Sequence, residues 1–219
     1  MSRLTWNNTG EKIYETGVKD VALYVVDSTT GKYGNGVAWE GVVNISDKPS
    51  GAETTKLYAE DVVYANLISA EEYKASIEAY TYPDEFAVCD GSYEIAQGVN
   101  IRQQDRSSFG YVYKTTIGND TKGMNYGYKL HVVYGATAAP TEVSHDSINE
   151  SPEAGTFSWE IDTVPVTVKG KKPTAKVEID STKVAEGVMA KLEAAFYGDE
   201  SNDAKLLMPD EIITLIAAG

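Results

Sequence analysis

The segment Glu78–Gly91 reads Glu-Ala-Tyr-Thr-Tyr-Pro-Asp-Glu-Phe-Ala-Val-Cys-Asp-Gly, and within it a strand pattern gives way to a helix pattern. Its first residues continue an alternation of apolar and polar side chains that is typical of a strand. Pro83, followed by Asp84 and Glu85, predicts a helix start, because proline fits the first helical position and the helix dipole favours carboxylates there. Gly91 predicts the end of that helix.

A helix of about two turns is unstable by itself in water, so its apolar side chains must be buried against another element. We expect Phe86 and Cys89 to be buried against a sheet, in a core that also holds Trp39 and Trp159 from two predicted strands. Cys89 is the single cysteine, which excludes an internal disulfide and fits a reducing compartment. It is interpreted as a small buried apolar group.

Composition limits the possible functions. The chain has 219 residues, enough for one all-β domain, and its 15 tyrosines favour strands over helices. A formal net charge of −14 argues against an open phosphate-binding surface, which would need clustered lysine and arginine. The first twelve residues have no apolar core, and no apolar run approaches the ~18 residues of a membrane span, so we expect no secretory signal and no membrane association.

Outside the opening segment, period-two alternation predicts a mainly β fold. Residues 4–20 are polar and predict an N-terminal arm. Residues 54–67 alternate, with an interruption at Asp61, and predict one long strand that projects and needs a partner along its edge. Loops are predicted at residues 46–53, 118–125 and 135–155. The further strands are expected at residues 21–26, 37–45, 75–79, 109–117, 126–134 and 157–168.

The C-terminal part has a different pattern. We place a soft boundary near Gly170, with residues 1–170 as a β-sandwich domain that carries the arm and long loops, and residues 171–219 as an appendix packed on it. The appendix begins with a strand, continues with an apolar helical stripe from Val184 to Phe196, and ends in a helix opened by Pro209. The predicted fold class is therefore mainly β, an antiparallel sandwich or barrel of two packed sheets with a flanking short helix and a small helical C-terminal appendix.

The residues that could carry catalysis do not form a site. His131 falls on the polar face of a strand and His145 in a loop, so both are interpreted as surface histidines. Ser144, His145 and Asp146 have the residue types of a catalytic triad, but adjacent residues cannot make the hydrogen bonds that a triad needs. Asp84 and Glu85 diverge on a helix and are explained by its dipole.

The candidate binding motifs are also incomplete. Asp199, Ser201 and Asp203 resemble the start of a calcium loop, but Ala204 replaces the required glycine. The glycines at 34 and 36 lack the third glycine of a phosphate loop and predict a turn. We therefore expect no catalytic residues, no metal and no cofactor, and no enzymatic activity.

Several segments, taken in combination, carry a resemblance. They are Pro49-Ser50-Gly51-Ala52-Glu53-Thr54-Thr55-Lys56-Leu57-Tyr58-Ala59, Glu78-Ala79-Tyr80-Thr81-Tyr82-Pro83-Asp84-Glu85-Phe86 with Cys89-Asp90-Gly91, Phe109-Gly110-Tyr111, and Leu206-Leu207-Met208-Pro209-Asp210-Glu211-Ile212. Together they resemble the major tail protein, or tail tube protein, of long-tailed bacteriophages with a non-contractile tail, the siphoviruses. None of these segments is a catalytic motif, and the resemblance covers nearly the whole chain.

The resemblance implies a structural protein of the virion tail, made and assembled in the cytoplasm of the bacterial host. Copies of the chain would form homo-hexameric rings that stack into a tube around the tape measure protein. Tail tip, distal tail and tail terminator proteins would be further partners, and genomic DNA would pass through as non-specific cargo. An acidic wall would repel phosphates and let the DNA slide. The residues expected at contacts between subunits or rings are Lys48, Pro49, Ser50, Thr54, Lys56, Tyr58, Asn119, Lys122 and Tyr126.

Two other classes of function remain open at the level of sequence. A carbohydrate-binding or adhesin-type β-sandwich would use the stripes of tyrosine and tryptophan as sugar platforms, although such stripes are more typical of a core or an interface. An enzyme of unrecognised type is disfavoured by the incomplete motifs.

Overall fold

The computed structural model describes residues 4–145, 147–148 and 154–218. The helices are α1 (Ala87–Asp90), preceded by a 3-10 turn (Asp84–Phe86), α2 (Glu186–Tyr197) and α3 (Pro209–Ala217). The strands are β1 (Ile13–Val25), β2 (Val37–Ala38), β3 (Val42–Asp47), β4 (Ser50–Gly51), β5 (Thr54–Ala59), β6 (Val62–Ile68), β7 (Glu71–Glu72), β8 (Lys74–Ala79), β9 (Tyr93–Ala96), β10 (Val99–Ile101), β11 (Phe109–Asn119), β12 (Gly123–Pro140), β13 (Phe157–Thr163) and β14 (Lys176–Asp180).

One large antiparallel sheet organises the molecule. Within the described residues it has eight strands in the order β2-β1-β11-β12-β13-β8-β3, with β14 paired to β12 beside this path. The long hairpin of β11 and β12 lies at its centre, and β1 pairs with β11 along most of its length. The expected mainly β, antiparallel fold is confirmed, with a sandwich arrangement and short flanking helices.

Strand β12 belongs to both halves of the sheet. One edge of β12 pairs with β11. On its other edge, residues 129–133 pair with β14, whereas residues 136–140 pair with β13. The change of partner occurs at Gly135, which has φ +58°. A Cβ atom there would lie 2.2 Å from the carbonyl oxygen of Val164, so the close approach of the two chains requires glycine. This bend folds the sheet over its own core.

The two faces of the central strands are both buried, in different cores. The inner face of the sheet forms one cluster with the Glu78–Gly91 segment, and the outer face of β1, β11, β12 and β14 forms a second cluster under α2 and α3. The first cluster holds the large buried side chains of Trp39, Trp159, Tyr111, Phe86 and Phe109. Those of the second are Tyr24, Tyr134, Phe196 and Leu192.

The opening segment folds as its sequence predicts. Pro83 lies in the extended conformation just before the 3-10 turn, Asp84 and Glu85 form the first turn, and α1 follows. Gly91 ends α1 in the left-handed conformation, with φ +74° and ψ +28°. After β8 the chain thus leaves the sheet, and the short helical segment packs on the inner core through Phe86 and Cys89.

Several sequence-based element predictions are wrong in detail. The loop predicted at residues 135–155 begins only after Pro140, because β12 continues through residues 136–140 to pair with β13. Residues 54–67 form the hairpin β5–β6 rather than one strand, and the predicted strand 37–45 is split into β2 and β3 by a segment that buries Trp39. The predicted N-terminal arm joins the sheet, because β1 begins at Ile13 and pairs with the far end of β11. Irregular register near Gly17 hides this strand from a period-two analysis.

The chain beyond Gly170 is built into the main sheet. Strand β14 runs antiparallel to β12, with Ile179 opposite Leu130. Helices α2 and α3 then cover the outer face, and the hydroxyl of Tyr134 donates a hydrogen bond of 2.8 Å to the carbonyl oxygen of Leu207 before α3.

Candidate functional site

Two hairpins lie outside the main sheet. Strands β5 and β6 pair only with each other within the described chain, and so do β9 and β10. Each hairpin therefore has two strand edges with unpaired backbone groups. Such edges are sites for association with another strand, which makes these hairpins the candidate functional site.

The β5–β6 hairpin turns at Glu60 and Asp61. Both residues have positive φ, at 52° and 62°. This is the backbone of a two-residue hairpin turn whose twist matches that of the strands it joins. Because acidic residues rather than the usual Asn-Gly occupy the turn, the sequence gives only a weak turn signal.

The β5–β6 hairpin exposes large apolar side chains. Tyr64 is 77% exposed and Tyr58 67% exposed, although strands with this composition are normally at least half buried. The other exposed large apolar residues of the hairpin are Leu57, Val62, Val63, Leu67 and Ile68. Exposed apolar patches of this kind mark interaction sites on soluble proteins.

The base of this hairpin is held to the domain. Strands β4 and β7 pair on either side of it, and the backbone N–H of Glu53 donates to the Ser69 hydroxyl at 3.0 Å. Next to them, the Lys48 ammonium lies 2.7 Å from a carboxylate oxygen of Glu160 on β13. The hairpin is thus an anchored projection rather than a loose loop.

The β9–β10 hairpin follows α1 and has the same character. Its exposed apolar residues alternate along each strand. Its root is fixed by Arg102, whose guanidinium lies 3.1 Å from the carboxylate of buried Asp90. These apolar residues are Tyr93, Ile95, Val99 and Ile101.

The residues expected at subunit contacts fall on two different elements. One group lies at the base of the β5–β6 hairpin and on β5: Lys48, Pro49, Ser50, Thr54, Lys56 and Tyr58. The other group, Asn119, Lys122 and Tyr126, lies at the turn between β11 and β12. The predicted contact residues include none from β6 or from the β9–β10 hairpin, although Gly98 between two alternating apolar runs is a hairpin signal.

In the second group, Asn119 acts within its own chain. It is 3% exposed, and its amide donates to the carbonyl oxygen of Gly10 at 3.0 Å. Its side-chain oxygen accepts from the backbone N–H of Lys122 at 2.6 Å. The Lys122 ammonium lies 5.7 Å from the ring centre of Tyr126. Asn119 therefore shapes this turn, while Lys122 is the exposed member of the group.

The four residues expected in the core are all buried. Phe86 packs 4.5 Å from Trp39 and 5.0 Å from Trp159, measured between ring centres. Cys89 is fully buried, and burial raises the pKa of its thiol to about 12. Asp90, a residue that sequence analysis did not single out, accepts a hydrogen bond of 2.8 Å from the Trp159 indole. It links the end of α1 to β13.

His131 is not a surface histidine, and that prediction is wrong. It is 3% exposed and stacks on the Tyr113 ring at 4.5 Å. Its Nε2 lies 3.2 Å from a carboxylate oxygen of Glu15 and 2.8 Å from the Thr115 hydroxyl, and its Nδ1 lies 3.4 Å from a carboxylate oxygen of Glu178. Leu130 and Val132, on the opposite face of β12, pack under α2 and α3. His131 therefore lies on the inner face of the sheet, the face that carries Val133 and the first cluster.

Around His131 the charges are paired. Burial lowers the pKa of His131, which favours the neutral ring. Burial alone would raise the pKa of Asp47, but hydrogen bonds from Lys176 and Tyr73, together with the positive charge of Lys176, lower the pKa. Burial opposes the positive form of Lys176, yet its hydrogen bond to Asp47 raises its pKa. Each charged group thus favours the charged form of a neighbour, and together they link β1, β3, β12 and β14.

The described residues show no group of three or more histidine, cysteine or acidic side chains placed to hold a metal ion. Asp146, the third residue of the rejected triad types, lies outside the described residues. Among the helices described, none has both the length and the apolar character needed to cross a membrane.

No family model matches the chain, and no curated protein matches it. Among solved structures, a similar chain occurs in the cryo-EM structure of the anti-feeding prophage (AFP) baseplate, 6-fold symmetrised. The alignment has a TM-score of 0.38 and 8% sequence identity, and it covers 80% of this chain and 97% of that chain. This likeness is too weak to carry an argument about function.

Proposed function

We propose that this chain is a structural subunit that associates with copies of itself through its projecting hairpins. The observation that carries the proposal is the β5–β6 hairpin, which is anchored at its base, has no partner along either edge among the described residues and exposes seven large apolar side chains. A two-stranded hairpin is marginally stable by itself in water. Pairing with a neighbour would satisfy its edges and bury its apolar side chains.

The finer proposal is a phage tail protein of the siphovirus tail tube type. Six copies would form a ring, and stacked rings would form a tube that encloses the tape measure protein and conducts DNA during ejection. Tail tip, distal tail and terminator proteins would cap the tube, and the chain would be part of the virion. Support comes from the sequence resemblance along the chain and from the exposed hairpins, which have no role in an isolated monomer.

The test is concentration-dependent assembly of the purified full chain. Sedimentation velocity should show oligomers that grow with concentration, and negative-stain electron microscopy should show sixfold rings or striated tubes. Replacing residues 54–68 by a short Gly-Ser linker should leave the far-UV circular dichroism of the main sheet and abolish assembly.

A matched point variant separates the hairpin from general surface effects. Tyr64→Ser should weaken assembly, whereas Tyr80→Ser, at a 53% exposed tyrosine outside the hairpins, should not. A wild-type chain that remains monomeric at every concentration would contradict the proposal. Glycan binding by that monomer would instead support the sugar-binding alternative.

A further inference from the structure

A short basic loop stands out in this acidic protein. Lys169, Lys171 and Lys172 are all exposed and lie within four positions of one another, in a chain of formal net charge −14. Among the described residues, seven lysines elsewhere form ion pairs, such as Lys48 with Glu160 and Lys74 with Asp162, whereas others, including Lys32 and Lys191, do not. Within the described residues, none of the three loop ammonium groups forms an ion pair. We call residues 169–172 the basic loop.

The basic loop lies beside the base of the β5–β6 hairpin. A cleft of about 850 Å³ separates the two. Ala52, Ile68 and Glu71 line it from the hairpin side, and Lys172 and Pro173 line it from the loop side. The cleft therefore combines apolar walls with charged groups of both signs, and Lys172 lies on the side where it meets the basic loop.

The far end of the same hairpin has the opposite charge. Glu60 and Asp61 form the turn, both are exposed, and neither forms an ion pair with a described residue. Strands of six and seven residues place this acidic tip roughly 20 Å from the base, at about 3.3 Å per residue. The tip and the basic loop of one copy are thus at opposite ends of the hairpin.

We propose that the acidic tip of the hairpin in one copy docks on the basic loop of the next copy, with the apolar residues beside the tip seated in the cleft at that copy's hairpin base. The inference rests on the proposed self-association and names the surface that receives the hairpin. A contact between two different surfaces of the same chain is heterologous, and its repetition builds rings or filaments.

Charge is the reason that the occupant is a second copy. Two chains of this net charge repel each other at long range, so a stable contact needs local complementarity where they meet. The basic loop supplies positive charge that its own chain leaves unpaired, and the acidic tip supplies negative charge at the most projecting point. Apolar residues on both sides would then be removed from water.

A charge-swap experiment tests the contact in the full-length chain. Glu60→Lys with Asp61→Lys should lower the association constant about tenfold or more, as should Lys171→Glu with Lys172→Glu, because each places like charges in contact. The variant that carries all four changes should recover most of the loss. As a control, Lys32→Glu with Lys191→Glu makes the same change in net charge at exposed lysines elsewhere and should have a much smaller effect.

Cross-linking gives a second readout that needs no stable oligomer. Glu60→Cys protein mixed with Lys171→Cys protein should give a disulfide-linked heterodimer under mild oxidation, faster than either variant alone gives homodimers. The native Cys89 does not interfere, because it is fully buried and burial raises the pKa of its thiol to about 12.

The outcomes separate this inference from the proposal beneath it. If Tyr64→Ser abolishes assembly but the charge-reversed basic loop assembles normally, the hairpin docks elsewhere and this inference is wrong. If the four-fold swap stays as weak as either half, the two charged sites do not meet. If the wild-type chain does not assemble and the two cysteine variants do not cross-link, both the inference and the proposed function fail.

Discussion

Phe86 joins the short helical segment to three parts of the sheet. Its ring lies within 5.4 Å of the rings of Trp39, Trp159 and Phe109, measured between centres. Phe86→Ala should lower the free energy of unfolding by about 3 to 5 kcal/mol, because it leaves a cavity that these large rings cannot fill. Urea denaturation followed by tryptophan fluorescence measures the change.

The control for this variant is Asp84→Asn, in the same segment. Asp84 is exposed, so its contribution is limited to the helix dipole, about 0.3 to 1 kcal/mol. Equal losses for the two variants would show that Phe86 is not a central core residue.

His131 gives the stability of the protein a dependence on pH. Burial lowers its pKa in the folded chain, whereas in the unfolded chain the ordinary value is about 6.5. As the pH falls below about 6.5, the unfolded state binds a proton that the folded state does not, and stability decreases. His131→Gln should therefore flatten the unfolding free energy between about pH 6.5 and 5, measured by urea titrations at several pH values.

Two observations keep this prediction specific. His145→Gln, at an exposed loop histidine, should retain the slope. Below about pH 4.5 both proteins should lose stability, because the paired carboxylates Glu15, Asp47 and Glu178 have lowered pKa values and become protonated. A slope between pH 6.5 and 5 that survives in His131→Gln would assign it to another group.

Sequence could not place His131, and the reason is physical. Leu130 and Val132 identify one buried face of β12, and in a sheet with one wet face the alternate residues would be exposed. Here helices cover the first face and the sheet folds over the second, so His131 becomes buried although it lies on the same face of the strand as Lys129. The buried ring lies beside Glu15 of β1 and Glu178 of β14, which are far from His131 in the sequence, and a local pattern does not show these contacts.

At the scale of elements, the bend of β12 at Gly135 is the most constrained point. Gly135→Ala should lower the free energy of unfolding by about 2 to 5 kcal/mol, from the positive φ and from the clash with the Val164 carbonyl. Gly98→Ala is the matched control, since it has φ +74° but nothing within 4 Å of the added methyl. It should cost only about 1 to 2 kcal/mol, and equal losses at both positions would contradict a steric role for Gly135.

The projecting hairpin shows what alternation predicts and what it misses. Residues 54–67 alternate between apolar and polar side chains on either side of Asp61, and the two halves form β5 and β6. Their separation depends on two consecutive residues with positive φ, at Glu60 and Asp61, a conformation that these residue types adopt less readily than glycine or asparagine. The expectation that this region projects and carries contact residues stays a prediction, which the hairpin replacement and charge-swap experiments address.

At the scale of the whole molecule, the central strands depend on covers from both sides. Ending the chain at residue 170 removes β14, α2 and α3 and exposes the outer cluster that includes Tyr24, Val112 and Tyr134. We expect this shortened chain to lose cooperative unfolding and to aggregate, whereas replacement of residues 54–68 should preserve a cooperative transition. Calorimetry and light scattering distinguish the two, and a soluble, cooperatively folding 1–170 chain would contradict the expectation.

The fold class was accessible from sequence because period-two alternation survives in β8, β11, β12 and β13, and because Pro83 and Gly91 mark the helical segment. The arrangement of covers on the two faces of the sheet could not be predicted. Apolar residues on both faces of β1 predict that both faces are covered, but nothing local says that the second cover comes from residues more than a hundred and fifty positions away, as in the hydrogen bond from Tyr24 to the carbonyl of Phe196.

The pairing of β1 with β11 also sets an order of events during synthesis. Gly10 and Asp120 meet next to this pair although they are 110 positions apart. At roughly 5 to 20 residues per second, the ribosome needs about 5 to 20 s to make the intervening chain. For that time the first strand of each new copy lacks β11, its longest partner, and pairs at most with the two-residue strand β2. The interval is a window in which a chaperone would protect this protein.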